Sequence, residues 1–96
     1  MKLLKIVASD RPQKRYKAIF EQDNGRTKTT HFGDSAKQTY IDHHDKERRE
    51  RYRSRHKKDL ETGDPTRAGF LAYEILWGSS TSMDENIRHY KSKYGL

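Results

Sequence analysis

Two segments near the start of the chain alternate between apolar and polar residues, a period of two that is typical of β-strands, and a third is rich in β-branched threonine and ends at Gly33. They are Lys2–Ser9, Arg15–Gln22 and Thr27–Phe32. Asp23-Asn24-Gly25, between the second and third segments, favours a tight hairpin turn because Asn and Gly tolerate a positive φ. We therefore predict a three-stranded antiparallel β-meander in residues 1–33.

The alternation also predicts which strand residues face the core. Leu4, Ile6 and Ala8 should share the core face of the first strand, and Tyr16, Ala18 and Phe20 that of the second. The opposite face of the sheet would then be basic. Its predicted cations are Lys5, Arg15, Lys17, Arg26, Lys28 and His31.

From residue 41 to residue 60 the pattern indicates a helix rich in arginine. Asp42 is a suitable N-cap, and the cations accumulate towards the C-terminal end, as the helix dipole favours. Acidic and basic residues recur at spacings that suit ion pairs within a helix. The predicted pairs are Asp45 with Arg49, Glu47 with Arg51, and Glu50 with Arg53.

Residues 64–95 have the pattern of a helical hairpin. Asp64-Pro65 resembles an N-cap followed by proline at the first helical position. The helix through Ala68–Trp77 is apolar on nearly every side, which is typical of a buried helix, and Gly78 would end it. Ser82 and Glu85 have the spacing of a capping box and open a C-terminal helix.

We therefore expect a single domain over residues 1–96 with an α+β fold. A three-stranded meander would be followed by an Arg-rich helix, a buried apolar helix and a C-terminal helix.

The composition of the chain predicts a binding surface in addition to this fold. The chain carries 21 Lys and Arg against 14 Asp and Glu, a net charge of +7, and only 30% of its residues are hydrophobic. The positive excess lies in the first sixty residues, while residues 61–96 hold four basic and five acidic side chains. Such asymmetry predicts one face that packs and one that meets a polyanion.

The candidate binding residues are concentrated in the Arg-rich helix. Guanidinium groups suit bidentate contacts with phosphate and stacking on bases. We predict a nucleic-acid-binding surface made of Arg48, Arg49, Arg51, Tyr52, Arg53, Arg55, Lys57 and Lys58, together with Lys17 and Lys28 from the sheet. A charged segment of this kind can also be a solvated helix that binds nothing, and a basic sheet face can be an ordinary polar surface.

Little in the sequence indicates catalysis. His43-His44, flanked by Asp42 and Asp45, is the one cluster that would suit a metal-dependent nuclease, but it lacks the usual ligand spacing. No phosphate-binding glycine loop and no nucleophile motif is present. We expect neither enzymatic activity, nor a metal, nor a cofactor.

The sequence also constrains where such a protein would be found. It has no cysteine, so no disulfide can form. No apolar run approaches the length that crosses a bilayer, and the N-terminus lacks the features of a signal peptide. We expect an intracellular protein that is not secreted and has no membrane partner.

Several short motifs resemble those of a small uncharacterised domain family of large nucleocytoplasmic DNA viruses. The resemblance spans nearly the whole chain. It is carried by Arg11-Pro12, Phe32-Gly33, residues 40–49, Tyr52, Arg55-His56-Lys57, Asp64-Pro65-Thr66, Ala68-Gly69 and Leu76-Trp77. The chain departs from the family pattern at residues 34–38, where a glycine is often found.

The resemblance implies a viral protein located in the virion or in the infected host cell, and it supplies no catalytic residues. With the basic helix, it favours a protein that binds nucleic acid, DNA above all, through phosphates without strong sequence specificity, in genome packaging. A second hypothesis is a minor capsid-associated virion protein that binds acidic virion proteins, with Tyr40, Tyr52, Tyr90 and Tyr94 as anchors. A metal-dependent nuclease that uses His44 is a third.

Overall fold

The computed structural model describes residues 1–96 and has the predicted α+β architecture. A three-stranded antiparallel sheet, in the order β1-β2-β3, is followed by helices. The elements are β1 (Lys2–Ala8), β2 (Lys14–Glu21), β3 (Thr27–Asp34), α1 (Tyr40–His43), α2 (Lys46–His56), a 3₁₀ segment (Lys57–Thr62), α3 (Ala68–Leu71), a π-helical turn (Ala72–Leu76) and α4 (Met83–Tyr94).

The helices cover one face of the sheet and bury a single apolar cluster there. The sheet contributes Ala18, Phe20 and Phe32, none of which is exposed, and the π-helical turn contributes Ile75 and Leu76. Because the apolar residues of a small domain are few, both halves of the chain are needed to complete this core. No helix is both long and apolar enough to cross a membrane.

The predicted core face of β1 was wrong at its start. A β-bulge shifts the pairing of β1 with β2 between Leu3 and Lys5. Leu3 therefore lies opposite Phe20 and is buried, whereas Leu4 is 44% exposed. An extra residue in one strand reverses the alternation before it, so the predicted face holds only beyond the bulge. There Ile6 pairs with Ala18 and is half-buried, whereas Ala8 pairs with Tyr16 but is exposed.

The predicted position of Lys28 on the outer face of the sheet was also wrong. Lys28 pairs with Phe20, and directly paired residues of an antiparallel sheet share a face. Lys28 therefore lies at the margin of the core face, where its Nζ donates a 2.8 Å hydrogen bond to Thr66 Oγ1. Lys17, by contrast, pairs with His31 on the outer face, and its Nζ lies 3.7 Å from Asp10 Oδ1.

The helix predicted over residues 41–60 is divided into three parts. Thr39, not Asp42, is the N-cap of α1, and Asp42 completes a capping box with it. His44 then adopts a left-handed conformation, with φ 57°, which ends α1. Asp45 caps α2 by accepting hydrogen bonds from the backbone N–H groups of Glu47 and Arg48.

The helix predicted from Asp64-Pro65 begins later, at Ala68, with Arg67 as its N-cap. Asp64 instead closes a local turn, since its Oδ1 accepts from both the N–H and the hydroxyl of Thr66. The helix then widens into the π-helical turn, where the buried residues Tyr73, Ile75 and Leu76 meet the sheet and α4.

Two glycines allow this helix to fit closely between its neighbours. Gly33 has φ 82°, and a Cβ there would lie 2.9 Å from Leu76 Cδ1. Gly78 was expected to end the helix, but its φ is not positive. Glycine is needed at position 78 because neighbouring atoms approach its backbone closely. A Cβ there would collide with the carbonyl oxygen of Glu74 and lie 2.7 Å from Asn86 Cγ.

The last helix agrees well with its prediction. Ser82 is the N-cap and accepts from Glu85 N–H, and Gly95 ends the helix with φ 66°. The Glu85 carboxylate does not complete the predicted capping box, because it accepts from the Ser80 hydroxyl instead. Within α4, Asn86 and Tyr90 are buried against the rest of the protein.

Candidate functional site

The arginines of α2 divide into two groups that point in different directions. Arg49 and Arg53 lie against the end of the π-helical turn, whereas Arg48, Arg51 and Arg55 are exposed. Residues three and seven positions apart share one side of a helix, so Arg48, Arg51 and Arg55 form a single row. We call these three residues the arginine row.

Arg49 and Arg53 stabilise the fold by binding backbone carbonyls. Arg49 Nε donates to Gly78 O at 2.7 Å, and Arg53 Nη1 donates to Trp77 O at 2.8 Å and to Tyr73 O at 3.3 Å. Carbonyls at the C-terminal end of a helix lack partners within the helix and carry partial negative charge, so a guanidinium suits them well. The donors of these two arginines are therefore largely used within the chain.

Both guanidinium groups also pack on tyrosine rings. The Arg53 guanidinium carbon lies 4.1 Å from the centre of the Tyr73 ring, and that of Arg49 lies 5.5 Å from the centre of the Tyr40 ring. These contacts anchor α2 to the protein even though α2 has no buried residue of its own.

The arginine row has no such internal partner. None of its three residues makes a side-chain hydrogen bond or an ion pair with another residue of the chain. The guanidinium groups of Arg49 and Arg53, by contrast, donate hydrogen bonds within the chain. The predicted ion pairs of Asp45 with Arg49, Glu47 with Arg51 and Glu50 with Arg53 do not form. Asp45 caps the helix, and Arg49 instead pairs with Glu50 at 2.6 Å.

The arginine row forms one wall of a cleft of about 640 Å³. The opposite wall is the end of β3 and the following loop, Gly33–Thr39, which brings Lys37 to the site. Ala72, Leu76 and Trp77 lie at its base. Lys37 and Trp77 were not predicted as site residues, because only the fold brings the loop and the π-helical turn beside α2.

A stack of three rings lies beside the arginine row. The Tyr52 ring is parallel to the Trp77 ring, 5° apart in angle and 4.2 Å between centres, and it stacks on His56 at 4.1 Å. Burial raises the pKa of Tyr52 to about 12. Both faces of Tyr52 are thus covered, and His56, whose Nδ1 lies 3.2 Å from Asp59 Oδ2, forms the outer end of the stack.

The remaining predicted residues lie outside this cleft. Lys57 and Lys58 are exposed in the 3₁₀ segment that follows α2. Lys17 is on the outer face of the sheet, and Lys28 is bound to Thr66 at the margin of the core. The structure therefore brings Arg48, Arg51, Tyr52 and Arg55 together and separates them from the lysines of the sheet.

The loop that carries the second wall is held by an ion pair with the sheet. Arg15 Nη1 and Nη2 donate to the Asp42 carboxylate at 2.6 and 2.9 Å, and Nη1 also donates to Thr39 Oγ1 at 3.2 Å. The bonds from Arg15 lower the pKa of Asp42 to about 2. Arg15 was predicted as a free cation of the sheet face, and this role in positioning the loop could not be inferred from its charge.

Of the two histidines before α2, His44 is exposed, whereas the His43 side chain is held by contacts within the chain. His43 Nδ1 accepts a hydrogen bond from Asp45 N–H at 2.9 Å, while its Nε2 is buried without a partner. The His43 ring packs near Trp77, with 5.3 Å between the ring centres. Burial lowers the pKa of His43 below its usual value. No three His, Asp or Glu side chains are placed to hold a metal ion together.

Comparison with curated proteins and with solved structures found no match. A family model described as a family of unknown function, DUF5754, matches residues 4–56. The match includes the sheet except for the first two residues of β1, together with α1 and α2 with its arginine row, which is more than half of the chain. The protein therefore belongs to the DUF5754 family.

Proposed function

We propose that this protein binds nucleic acid through phosphate contacts from the arginine row, with Lys57 and Lys58 adding positive charge at its end, and without strong sequence specificity. The observation that carries the proposal is the absence of any acceptor within the chain for three adjacent, exposed guanidinium groups. Free guanidinium groups on a rigid helix are suited to phosphate, and they provide no readout of base sequence by themselves.

The distribution of acidic residues supports this proposal. Glu47 and Glu50 lie beside Arg51 but do not line the cleft, and neither forms an ion pair with the arginine row. The pairing of Arg49 and Arg53 with backbone carbonyls holds α2 rigidly, which lowers the entropy lost when the row meets a polyanion.

The resemblance to a domain family of large DNA viruses supports a proposal for the type of nucleic acid bound and for the place where the protein acts. We propose that the bound nucleic acid is DNA, that the protein acts in the virion or the infected cell, and that it serves genome packaging rather than catalysis. A packaging protein needs strong, sequence-independent contacts with phosphate, which is what a row of arginines offers.

Salt-dependent binding tests this proposal. Titrations on duplex DNA, single-stranded DNA and RNA should give affinities that fall with salt, with a log–log slope of about −0.9 per phosphate neutralised on duplex DNA. Arg51→Glu with Arg55→Glu should weaken binding to all sequences about equally. Arg11→Glu with Arg88→Glu, which changes the same charge at two exposed arginines away from the cleft, is the matched control. A slope near zero, or no binding at low salt, would contradict the proposal.

The alternative is a capsid-associated protein whose basic helix binds acidic virion proteins. Tyr40 and Tyr90 are buried, Tyr52 is covered on both faces, and the half-buried Tyr94 donates its hydroxyl to Glu74, so the tyrosines expected as anchors are engaged within the chain. The alternative would depend on the arginine row alone. Nuclease treatment of opened particles distinguishes the two, since it should release a DNA-bound protein and leave a shell-bound one in place.

A further inference from the structure

We propose that the cleft between α2 and the loop Gly33–Thr39 holds one unpaired strand of nucleic acid, so that single strands bind more tightly than duplex. This inference deepens the proposed function and rests on it. It concerns the shape of the site, whereas the proposed function concerns only its charge.

The cleft is basic on both walls. The arginine row supplies one wall and Lys37 stands on the other, against one acidic residue, Asp34. Arg48 and Arg55 are seven residues apart, about 10 Å along the helix axis, so the row extends past more than one phosphate of a strand. A strand lying in the cleft would therefore have cations on two sides, whereas a flat basic surface offers them on one.

The size of the cleft favours a nucleotide over a duplex. Its volume of about 640 Å³ lies within the 300–1,000 Å³ typical of sites for small ligands. The bases of a duplex are paired in its interior, so only its phosphates could reach the rim of the cleft. An unpaired base, by contrast, can turn into the cleft, which is lined by His56 as well as by Tyr52 and Trp77.

The ring stack gives an unpaired base a place to bind. Trp77, Tyr52 and His56 are stacked in that order, and the His56 side chain at the end is 40% exposed. A base placed on the outer face of His56 would continue the stack, and stacking on an aromatic ring accepts any base. The arginine row beside it would bind the phosphates on either side of that base.

The test uses the intact protein with two probes, a short oligothymidylate, which cannot pair with itself, and a mixed-sequence duplex of the same length. Trp77 is the only tryptophan of the chain and lies at the base of the cleft, so its fluorescence reports on occupancy. We expect the oligothymidylate to bind about tenfold more tightly than the duplex and to change Trp77 emission, and the duplex to leave that emission unchanged.

Matched variants separate the cleft from general charge. Arg51→Gln with Arg55→Gln should lower affinity for oligothymidylate by about tenfold or more, because two phosphate contacts are lost. Arg11→Gln with Arg88→Gln removes the same charge from exposed arginines outside the cleft and should change it by less than about threefold.

The outcomes distinguish the two proposals. Equal or tighter binding of the duplex, equal losses in the two variants, or unchanged Trp77 emission on saturation with oligothymidylate would each overturn the single-strand inference and leave the phosphate-binding function standing. Failure of both probes to bind at low salt would remove the proposed function itself.

Discussion

At the scale of single residues, arginines that look alike in the sequence have different roles. Arg53 binds two carbonyl oxygens and packs on Tyr73, whereas Arg51, two positions earlier, binds nothing within the chain. The difference arises from the direction of each side chain relative to the π-helical turn. We therefore expect substitution of Arg53 to affect stability and substitution of Arg51 to affect binding.

We predict that Arg53→Ala lowers the free energy of unfolding by about 2 kcal/mol, because it leaves the Tyr73 and Trp77 carbonyls without their charged donor. Arg51→Ala should change stability by less than about 0.5 kcal/mol, as is usual for an exposed residue. Urea denaturation followed by circular dichroism measures both. An equal loss of unfolding free energy in the two variants would show that the bonds from Arg53 to these carbonyls do not stabilise the fold.

A second residue-scale prediction concerns His43 and pH. Burial lowers its pKa below the value of about 6.5 expected in the unfolded chain, so the unfolded state binds a proton more readily. The stability that depends on neutral His43 is therefore fully present above pH ~6.5 and is lost as the pH falls through the lower pKa of the folded state. The loss therefore begins at a higher pH than any loss from protonation of Asp42, whose pKa is about 2.

His43→Asn isolates this effect, because asparagine keeps an acceptor for Asp45 N–H and takes up no proton in this range. Between pH 7 and pH 5, wild-type protein should lose more stability than His43→Asn. Thermal unfolding at a series of pH values measures the difference. Parallel curves for the two proteins would mean that His43 titrates alike in the folded and unfolded states.

At the scale of elements, α4 is attached to the π-helical turn by one buried amide. Asn86 is 1% exposed, and its Nδ2 donates to Ile75 O at 2.9 Å and to Ser80 O at 2.8 Å, while its Oδ1 accepts from Ser80 N–H at 3.0 Å. These bonds fasten the loop around Gly78 as well as the helix. An amide is needed because the site requires both donors and an acceptor.

We expect Asn86→Asp to lower the free energy of unfolding at pH 7 by about 3 kcal/mol or more, because a carboxylate cannot donate to the two carbonyls and its charge would be buried. Asp84→Asn, an exposed position of the same helix, is the control with the opposite change. Chemical denaturation compares them. A loss below about 1 kcal/mol for Asn86→Asp would show that water or movement of α4 satisfies these groups.

The order of the elements was predictable, because strand and helix periods are local properties of the sequence. The predictions of side-chain faces and ion pairs that were wrong depend on residues distant in the chain. The bulge at Leu4 depends on pairing with β2, and the face of Lys28 depends on the register with Phe20. Local spacing predicted ion pairs along α2, but backbone carbonyls of another element compete successfully for Arg49 and Arg53.

The candidate site was predictable only in part for the same reason. The density of arginine in residues 48–55 indicated the correct helix. It did not reveal that Arg48, Arg51 and Arg55 form the wall of a cleft, because the other wall and the base come from the loop Gly33–Thr39 and from Trp77. A basic segment becomes a shaped site only through contacts that join three regions of the chain.

At the scale of the whole molecule, the core is shared between the segment that matches the DUF5754 family and the segment that follows it. Within the apolar cluster, residues 1–62 supply Leu3, Ala18, Phe20, Phe32 and Tyr40. Residues 63–96 supply Phe70, Leu71, Ile75, Leu76, Trp77 and Tyr90. The family match ends at residue 56, before any of this second group.

We predict that the fragment 1–62 does not fold alone. Its sheet would expose Phe20 and Phe32, which are fully covered in the whole chain, and the apolar face of a sheet must be buried against another layer. Arg49 and Arg53 would also lose the carbonyls of residues 73–78 that anchor α2.

Heating should therefore give a cooperative transition for the chain 1–96 and none for the fragment 1–62, measured by circular dichroism. Mixing the fragment with a peptide of residues 63–96 should restore the transition, since the two pieces together carry the complete core. A cooperative transition in the fragment alone would contradict this reasoning. Because Ala72, Leu76 and Trp77 form the base of the cleft, the same mixing experiment should restore the Trp77 fluorescence response to oligothymidylate, so that folding and binding return together.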